Sequence, residues 1–264
     1  MRIMLIPPTR ADVAELLYVE RHSLGDSDYA VDEALAVLAT PAQLCFGCYV
    51  DATLVGFLSC IETWSVLGAR LELDMLGVLP DHRGRGYAGA LVAEAICYGQ
   101  EQRFASARAV VAVDNAASQA TFRRAGFMPV ATCAMLIWNR PRSDAAAMDA
   151  RLLRQQVRLP GRPHAEATLL CVCDQQQTTA SATAIEVTTL AYRGCWIEDI
   201  SGPSPEDRLA LVTHIGCEAV AAHLDEAGML VPRASVDEIA ALTTLGWQRV
   251  GDYDIFARTI GAGR

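Results

Sequence analysis

The sequence predicts an α/β (α+β) fold: a mixed, mostly antiparallel sheet flanked by helices, followed by a second, smaller domain. Three observations lead there. Apolar periodicity orders the chain up to about residue 140 as β-α-α-β-β-β-α-β-α-β. Residues 141–163 then change character, with arginines among prolines and alanines. Beyond His164 the order strand-helix-strand-helix-strand returns.

Each element has its own signal. "MRIMLIPPT" reads as a short strand, and "RADVAELLYVERHSL" as an amphipathic helix with Val13, Leu16, Leu17 and Glu20 at helical spacing. "VDEALAVLA" is a second short helix. "QLCFGCYVD" and "TLVGFLSCIETW" form a hairpin, and "ARLELDMLGVL" is the third strand of the meander. A glycine-rich turn then opens a helix running to about Phe104, followed by strand "ARAVVAVD", helix "AASQATFRRAG" and strand "PVATCAMLIWN".

Residues 141–163 are expected to be a linker containing one helix. Its arginines, with Arg140 just before and Arg142, Arg151, Arg154, Arg158 and Arg162 within, read either as a solvated connector or as a basic patch for an acidic partner. The domain from residue 164 to 264 brings two or three strands, a long helix from about Glu206 to Ala227, and a closing strand-helix-strand. "VAVDNAASQATFRRAGF" set against "VPRASVDEIAALTTLGW" matches Val111 with Val231, Ala120 with Ala240, Gly126 with Gly246 and Phe127 with Trp247. An internal repeat is the reading, carried more by element order than by residues.

Composition narrows the function classes. A hydrophobic fraction of 52% with 20% charged residues supports packed cores. A net charge of −9 argues against nucleic acid as the main partner. Nine cysteines without scaffold spacing read as reduced thiols of a cytoplasmic protein, and "CFGC" at 45–48 alternates like a strand instead of forming half a metal site. The apolar run before Pro7 is too short for a signal peptide, and the most apolar long stretch, 44–64, is interrupted by Asp51, so neither export nor a membrane span is expected.

The chemistry concentrates in "LPDHRGRGYAGALVAEA", residues 79–95. A strand ending at Val78, a turn with Gly84 and Gly86, and a helix from Tyr87 aim unpaired N–H groups and the positive end of a helix dipole at one spot. Arg83 and Arg85 add charge. No Gly-Lys-Ser or Gly-Lys-Thr follows, so this is not a P-loop, and the dinucleotide fingerprint fails in spacing.

The stretch resembles the pyrophosphate loop of the GNAT (general-control-type N-acetyltransferase) acyltransferases, Gln/Arg-x-x-Gly-x-Gly/Ala, in Arg83, Gly84, Arg85, Gly86, Tyr87 and Ala88, with Pro80 ahead of it. Asn115, Ala120, Phe122, Gly126 and Phe127 fit the segment that lies along coenzyme A in that family. The resemblance covers residues 1–140 and implies a GNAT sheet, with a tandem, degenerate GNAT-like domain after it. It also implies acetyl-CoA or another acyl-CoA as co-substrate, no metal, and direct attack of an amine on the thioester. Leu76, Gly77 and Val78 would pair their backbone with the pantetheine arm, and Gly89 and Ser118 complete the coenzyme-binding set.

Amine acylation needs a base and an acid. By the same resemblance Glu72 stands where histone-type members carry a glutamate base, and Asp74, two residues on, shares its side of the strand. The alternative for both is cross-sheet hydrogen bonding or solvent. Phe122 occupies the usual position of an acidic tyrosine, so either another group such as Tyr87 or a water replaces it, or the thiolate leaves unassisted, or activity is altered. Glu20, His22, Asp26, Asp28 and Trp64 lie in segments that line acceptor pockets in the family, though each also reads as surface or core.

The second half lacks the loop. Glu206 and Asp207 stand at its helix start, Ser235 replaces the asparagine and Leu242 the aromatic, so it reads as a repeat without coenzyme binding that walls one side of the acceptor cleft. The acceptor is a small-molecule or peptide amine. A homodimer, an acyl carrier protein delivering a longer acyl group, and a non-catalytic acetyl-CoA sensor stay open.

Overall fold

The computed structural model describes residues 1–25, 29–140, 151–175, 177–190 and 193–260. Asp26, Asp28 and Arg142 fall outside the described residues, as does the part of the expected linker helix on 141–150.

In chain order the elements are β1 (Arg2–Leu5), α1 (Arg10–Ser23), α2 (Val31–Leu38), β2 (Gln43–Val50), β3 (Thr53–Thr63), β4 (Arg70–Val78), α3 (Tyr87–Glu101), β5 (Ser106–Ala112), α4 (Ala116–Arg124) and β6 (Met128–Trp138). Then follow β7 (Leu152–Leu159), β8 (Arg162–Asp174), β9 (Gln177–Thr188), β10 (Arg193–Ser201), α5 (Pro205–Ala221), β11 (Glu226–Pro232), α6 (Val236–Leu245) and β12 (Gln248–Thr259). They form two compact units. The first comprises Met1–Val130, Thr189, Leu190 and the segment from Ile255 onward, and the second takes Ala131–Thr188 and the chain up to Asp254. Most of β6 thus counts with the second unit and the last part of β12 with the first.

In the first unit the strand order is β1-β2-β3-β4-β5-β12, antiparallel from β1 to β4 and parallel between β4 and β5. Thr9 caps α1 by accepting from the Asp12 N–H, and the helix buries Val13, Leu16 and Leu17 in a cluster with Cys45 and Phe57. α2 begins with Glu33 accepting from the Ala30 N–H at 2.9 Å. The last strand is integral to this core. Phe256 is fully buried and stacked on Phe122, and the Ile260 N–H donates to Ala105 O at 3.0 Å.

In the second unit the order is β6-β11-β10-β9-β8-β7. Its core gathers Trp138, Trp247, Leu211 and Met229. β7 arises within the stretch expected as a linker, and its arginines are engaged. Arg154 pairs with Glu218 at 2.6 Å, Arg151 with Asp207 at 3.2 Å, and Arg158 with Glu166. A basic patch for an acidic partner would have to compete with those carboxylates. α5 is shorter than expected: it ends at Ala221, and His223 turns the chain left-handed at φ 61° ahead of β11.

The two units share several features of backbone geometry. Arg103 and His223 have φ of 57° and 61°, and Gly126 and Gly246 both close a helix with positive φ. The Phe127 N–H reaches Phe122 O at 3.0 Å as the Trp247 N–H reaches Leu242 O at 3.1 Å. β4 pairs with β5 over four residues, as β10 does with β11, and both leading strands carry a bulge beyond that pairing.

Candidate functional site

The site begins with a break in the sheet. β4 follows β3 along its whole length, but its register with β5 ends at Leu73↔Ala109. At that point β4 bulges: Ser59 faces Met75 and Cys60 faces Leu73, leaving Asp74 as the extra residue. A bulge bends its strand and ends pairing, so from Asp74 to Val78 β4 presents backbone groups with no β5 register.

Beyond Val78 a short 3-10 turn at Pro80–His82 leads to Gly84 and Gly86, with φ of 74° and 82°. Both lie in the left-handed region that glycine adopts freely, and a Cβ at either would point into open space. Gly86 is the N-cap of α3, with no side-chain cap and no acid in the first turn, so the leading N–H groups are left for a ligand. Arg83 braces the turn, donating from Nε to Val78 O at 3.0 Å and from Nη2 to Ser23 O at 2.9 Å.

A cavity of about 750 Å³ joins these features. The free edge of β4 supplies Leu76, Gly77 and Val78; the turn and α3 supply Arg83, Gly84, Gly86, Tyr87, Ala88 and Gly89; α4 supplies Asn115 at its cap and Ser118. Asn115 Oδ1 accepts from the Ser118 N–H at 3.0 Å, which leaves its amide N–H₂ for other contacts. Two expected coenzyme-binding residues stand apart. Arg85 folds back to donate to Asp81 O at 3.0 Å, and Phe122 is buried between Phe127 and Phe256 with ring centroids at 5.3 and 6.2 Å. Thr121 and Arg124 line the cavity from α4 in its place. Sequence reasoning also missed His82 and Arg258; the first sits inside the recognised stretch, whereas nothing local marks the second.

Three arginines, Arg83, Arg124 and Arg258, line the cavity, and among the described residues no carboxylate does. In a chain of net charge −9 that is a strong local inversion of sign, suited to a polyanion. The residues therefore fit a coenzyme carrying a pyrophosphate: N–H groups at a helix start, an open strand edge for an extended arm, and cations without competing acids.

The two expected catalytic carboxylates differ sharply. Glu72 is largely buried between Arg70, which reaches Oε1, and Arg108, whose Nε donates to Oε2 at 2.9 Å; the Thr63 hydroxyl adds a bond of 3.3 Å. Burial raises its pKa, but the charges and hydrogen bonds of Arg108 and Arg70 outweigh that and hold it below the usual carboxylate range. Asp74 is reached by solvent yet crowded by protein. Loss of hydration pushes its carboxyl up to about 6 against a hydrogen bond with Thr189, and the charge of Glu72 adds to the rise.

Of the expected acceptor-side residues, Glu20 and Trp64 are buried, and His22 is exposed with Nδ1 2.7 Å from Tyr18 O. In the second unit the equivalent helix start is closed by its own chain. Ser204 caps α5 through the Asp207 N–H at 3.1 Å, and a Cβ at Gly202 would lie 2.4 Å from Thr179 O. Asp207 is held below the usual range by a hydrogen bond with Thr179, and Arg151 adds to the effect despite partial desolvation.

A splayed strand pair beside an uncapped, glycine-led helix, on a mixed α/β sheet, suits an extended anionic ligand. Residues 11–127, a little under half of the chain, match the acetyltransferase (GNAT) family. The family's co-substrate is acetyl-CoA. Solved structures with the same fold include a GCN5-related N-acetyltransferase from Sphaerobacter thermophilus, at 14% identity and TM-score 0.59, covering 99% of this chain and 97% of that one. A tandem GNAT protein from the clavulanic acid biosynthesis pathway aligns at 13% identity and TM-score 0.52 over the full length of both chains. A glucosamine N-acetyltransferase region of a fungal multi-domain β-N-acetylglucosaminidase aligns at 12% identity and TM-score 0.60, over 97% of this chain but only 38% of that one. No curated protein sequence matches the chain. Among the described residues no helix is long and apolar enough to cross a membrane.

Proposed function

We propose that the first unit binds an acyl-CoA and transfers its acyl group to an amine, and that the second unit binds no coenzyme. The observation that carries this is the meeting, in one acid-free cavity, of the uncapped start of α3 with the open edge of β4. The bound coenzyme supplies an activated acyl group as a thioester. The β4 edge at Leu76–Val78 holds the arm by main-chain hydrogen bonds and aims N–H groups at the acyl oxygen, where negative charge develops.

Asp74, with its carboxyl near 6, is ionised at neutral pH while remaining basic enough to take a proton from the incoming ammonium. Glu72 is a weaker base because two arginines already claim its oxygens. Its role here is to fix Arg70 and Arg108 and to raise the basicity of Asp74 through its charge. Phe122 has no proton to give, and Tyr87 stands beside His82 at the start of α3, so water returns the proton to the departing sulfur.

The test is calorimetric titration of the full chain with coenzyme A and acetyl-CoA, followed by acyl transfer to a panel of amines. Saturable binding to one site with turnover on an amine is expected. Binding without turnover on any amine would favour a sensor, and no binding would overturn the reading.

A further inference from the structure

We propose that Arg258 and Arg124 form a second anion subsite in the cavity, at the end of α4, which takes the ribose 3′-phosphate of the coenzyme. This rests on the coenzyme reading above. Arg258 stands on the last part of β12, counted with the first unit and far outside the span 11–127 that matches the family.

The geometry is specific. Arg258 Nη1 donates to Ala125 O at 2.5 Å, and the guanidinium lies over Gly126, where a Cβ would sit 3.7–3.9 Å from Nη1, Cζ and Nε. No other hydrogen bond engages Arg258 among the described residues. Arg124 donates from Nε to Ala120 O at 3.0 Å and keeps both terminal nitrogens for another partner. The two forks line the same cavity, and no carboxylate lines it with them.

A nearby anion meets the negative end of the α4 dipole, which would ordinarily repel it. Arg258 covers a terminal carbonyl there and brings a full positive charge, so it removes the repulsion and supplies the attraction. Nine helical residues at about 1.5 Å each separate this cluster from the Asn115 cap by roughly 13 Å, so the cavity has anion-binding groups at the start of α3 and again at the far end of α4. A pyrophosphate occupies the first. The second suits a phosphate monoester dianion, which coenzyme A carries on its ribose and dephospho-coenzyme A lacks.

The experiment compares the affinities of coenzyme A and dephospho-coenzyme A for the full chain by calorimetry, with thermal unfolding as a check on folding. The unaltered protein should prefer coenzyme A by about tenfold or more. Arg258→Ala should collapse the preference towards unity while changing dephospho-coenzyme A binding by less than about threefold, and Arg258→Lys should restore part of it. Should Arg258→Ala fail to fold, Arg124→Ala serves the same comparison and should reduce the preference severalfold. Equal affinity of the two ligands for the unaltered protein overturns the inference and leaves the coenzyme reading intact. So does a preference that survives both alanine variants. Binding of neither ligand overturns the coenzyme reading itself.

Discussion

Arg108 Nε donates to Glu72 Oε2 at 2.9 Å across the β4–β5 pair, directly opposite in register, while Arg70 holds the other carboxylate oxygen. Replacing Glu72 with glutamine leaves two largely buried guanidinium groups facing a neutral amide. The expected cost is about 3 kcal/mol of stability, the scale of a broken buried pair. Because the folded carboxyl is held below its unfolded value, its contribution is fully present above about pH 4.3 and is lost as pH falls through the folded value. Denaturant melts of Glu72→Gln should therefore show a smaller stability loss on acidification than the parent. Melts that track the parent at every pH would show that the pair contributes nothing.

Asp74 has the opposite sign. Its folded carboxyl, at about 6, lies above the unfolded value, so the folded state binds the extra proton and stability falls as pH rises from about 4 to about 6. Asp74→Asn should therefore be at least as stable as the parent at pH 7. It should also lose about a hundredfold or more in turnover with a saturating amine, together with the acid limb centred near pH 6 in the parent's kcat/KM profile. Full turnover with the limb unchanged would move the base elsewhere, with Glu72 next in line.

The two glycine turns invite contrasting substitutions. Gly86→Asp puts a carboxylate and a Cβ at φ 82° beside the α3 N–H groups, and coenzyme A affinity should fall at least tenfold, about 1.4 kcal/mol. Gly202→Ala, at φ 123° with Thr179 O in the way, should leave that affinity alone and cost about 1–3 kcal/mol of stability. Coenzyme affinity that responds to Gly202→Ala and ignores Gly86→Asp would place the site in the wrong half.

The turn from Val78 to Gly89 was legible because its information is local: left-handed glycines, an uncapped helix and the strand before them are neighbours in sequence. The likeness of the two helix ends was legible for the same reason, since Gly126 and Gly246 both turn the chain with positive φ. Three things were not. Arg70, Glu72 and Arg108 are unremarkable on their own strands, and only the register makes them a cluster. β7 hides because Arg154, Gln156 and Arg158 give it the composition of a linker, and their partners Glu218, Thr168 and Glu166 lie on other elements. The placement of Phe256 and Arg258 in the first unit is a matter of strand partner choice, which hydrophobic alternation does not encode.

That placement also sharpens what truncation should do. A fragment of residues 1–140 keeps the whole matched span but lacks Phe256, buried against Phe122, and Ile260, whose Cδ1 lies 2.7 Å from where a Cβ of Gly99 would be. It also exposes the edge of β5 that β12 covers, an invitation to aggregation. Losing one buried phenylalanine alone costs about 3–5 kcal/mol, a large part of a domain's stability. The fragment should therefore be insoluble or only partly folded, and Phe256→Ala in the full chain should lower the unfolding midpoint markedly while leaving the residues of the glycine turn in place. Weak coenzyme binding by any soluble fraction should lack preference for coenzyme A over dephospho-coenzyme A, because Arg258 is gone. A fragment that is soluble, monomeric and as stable as the intact protein would mean that the first unit does not need the last strand.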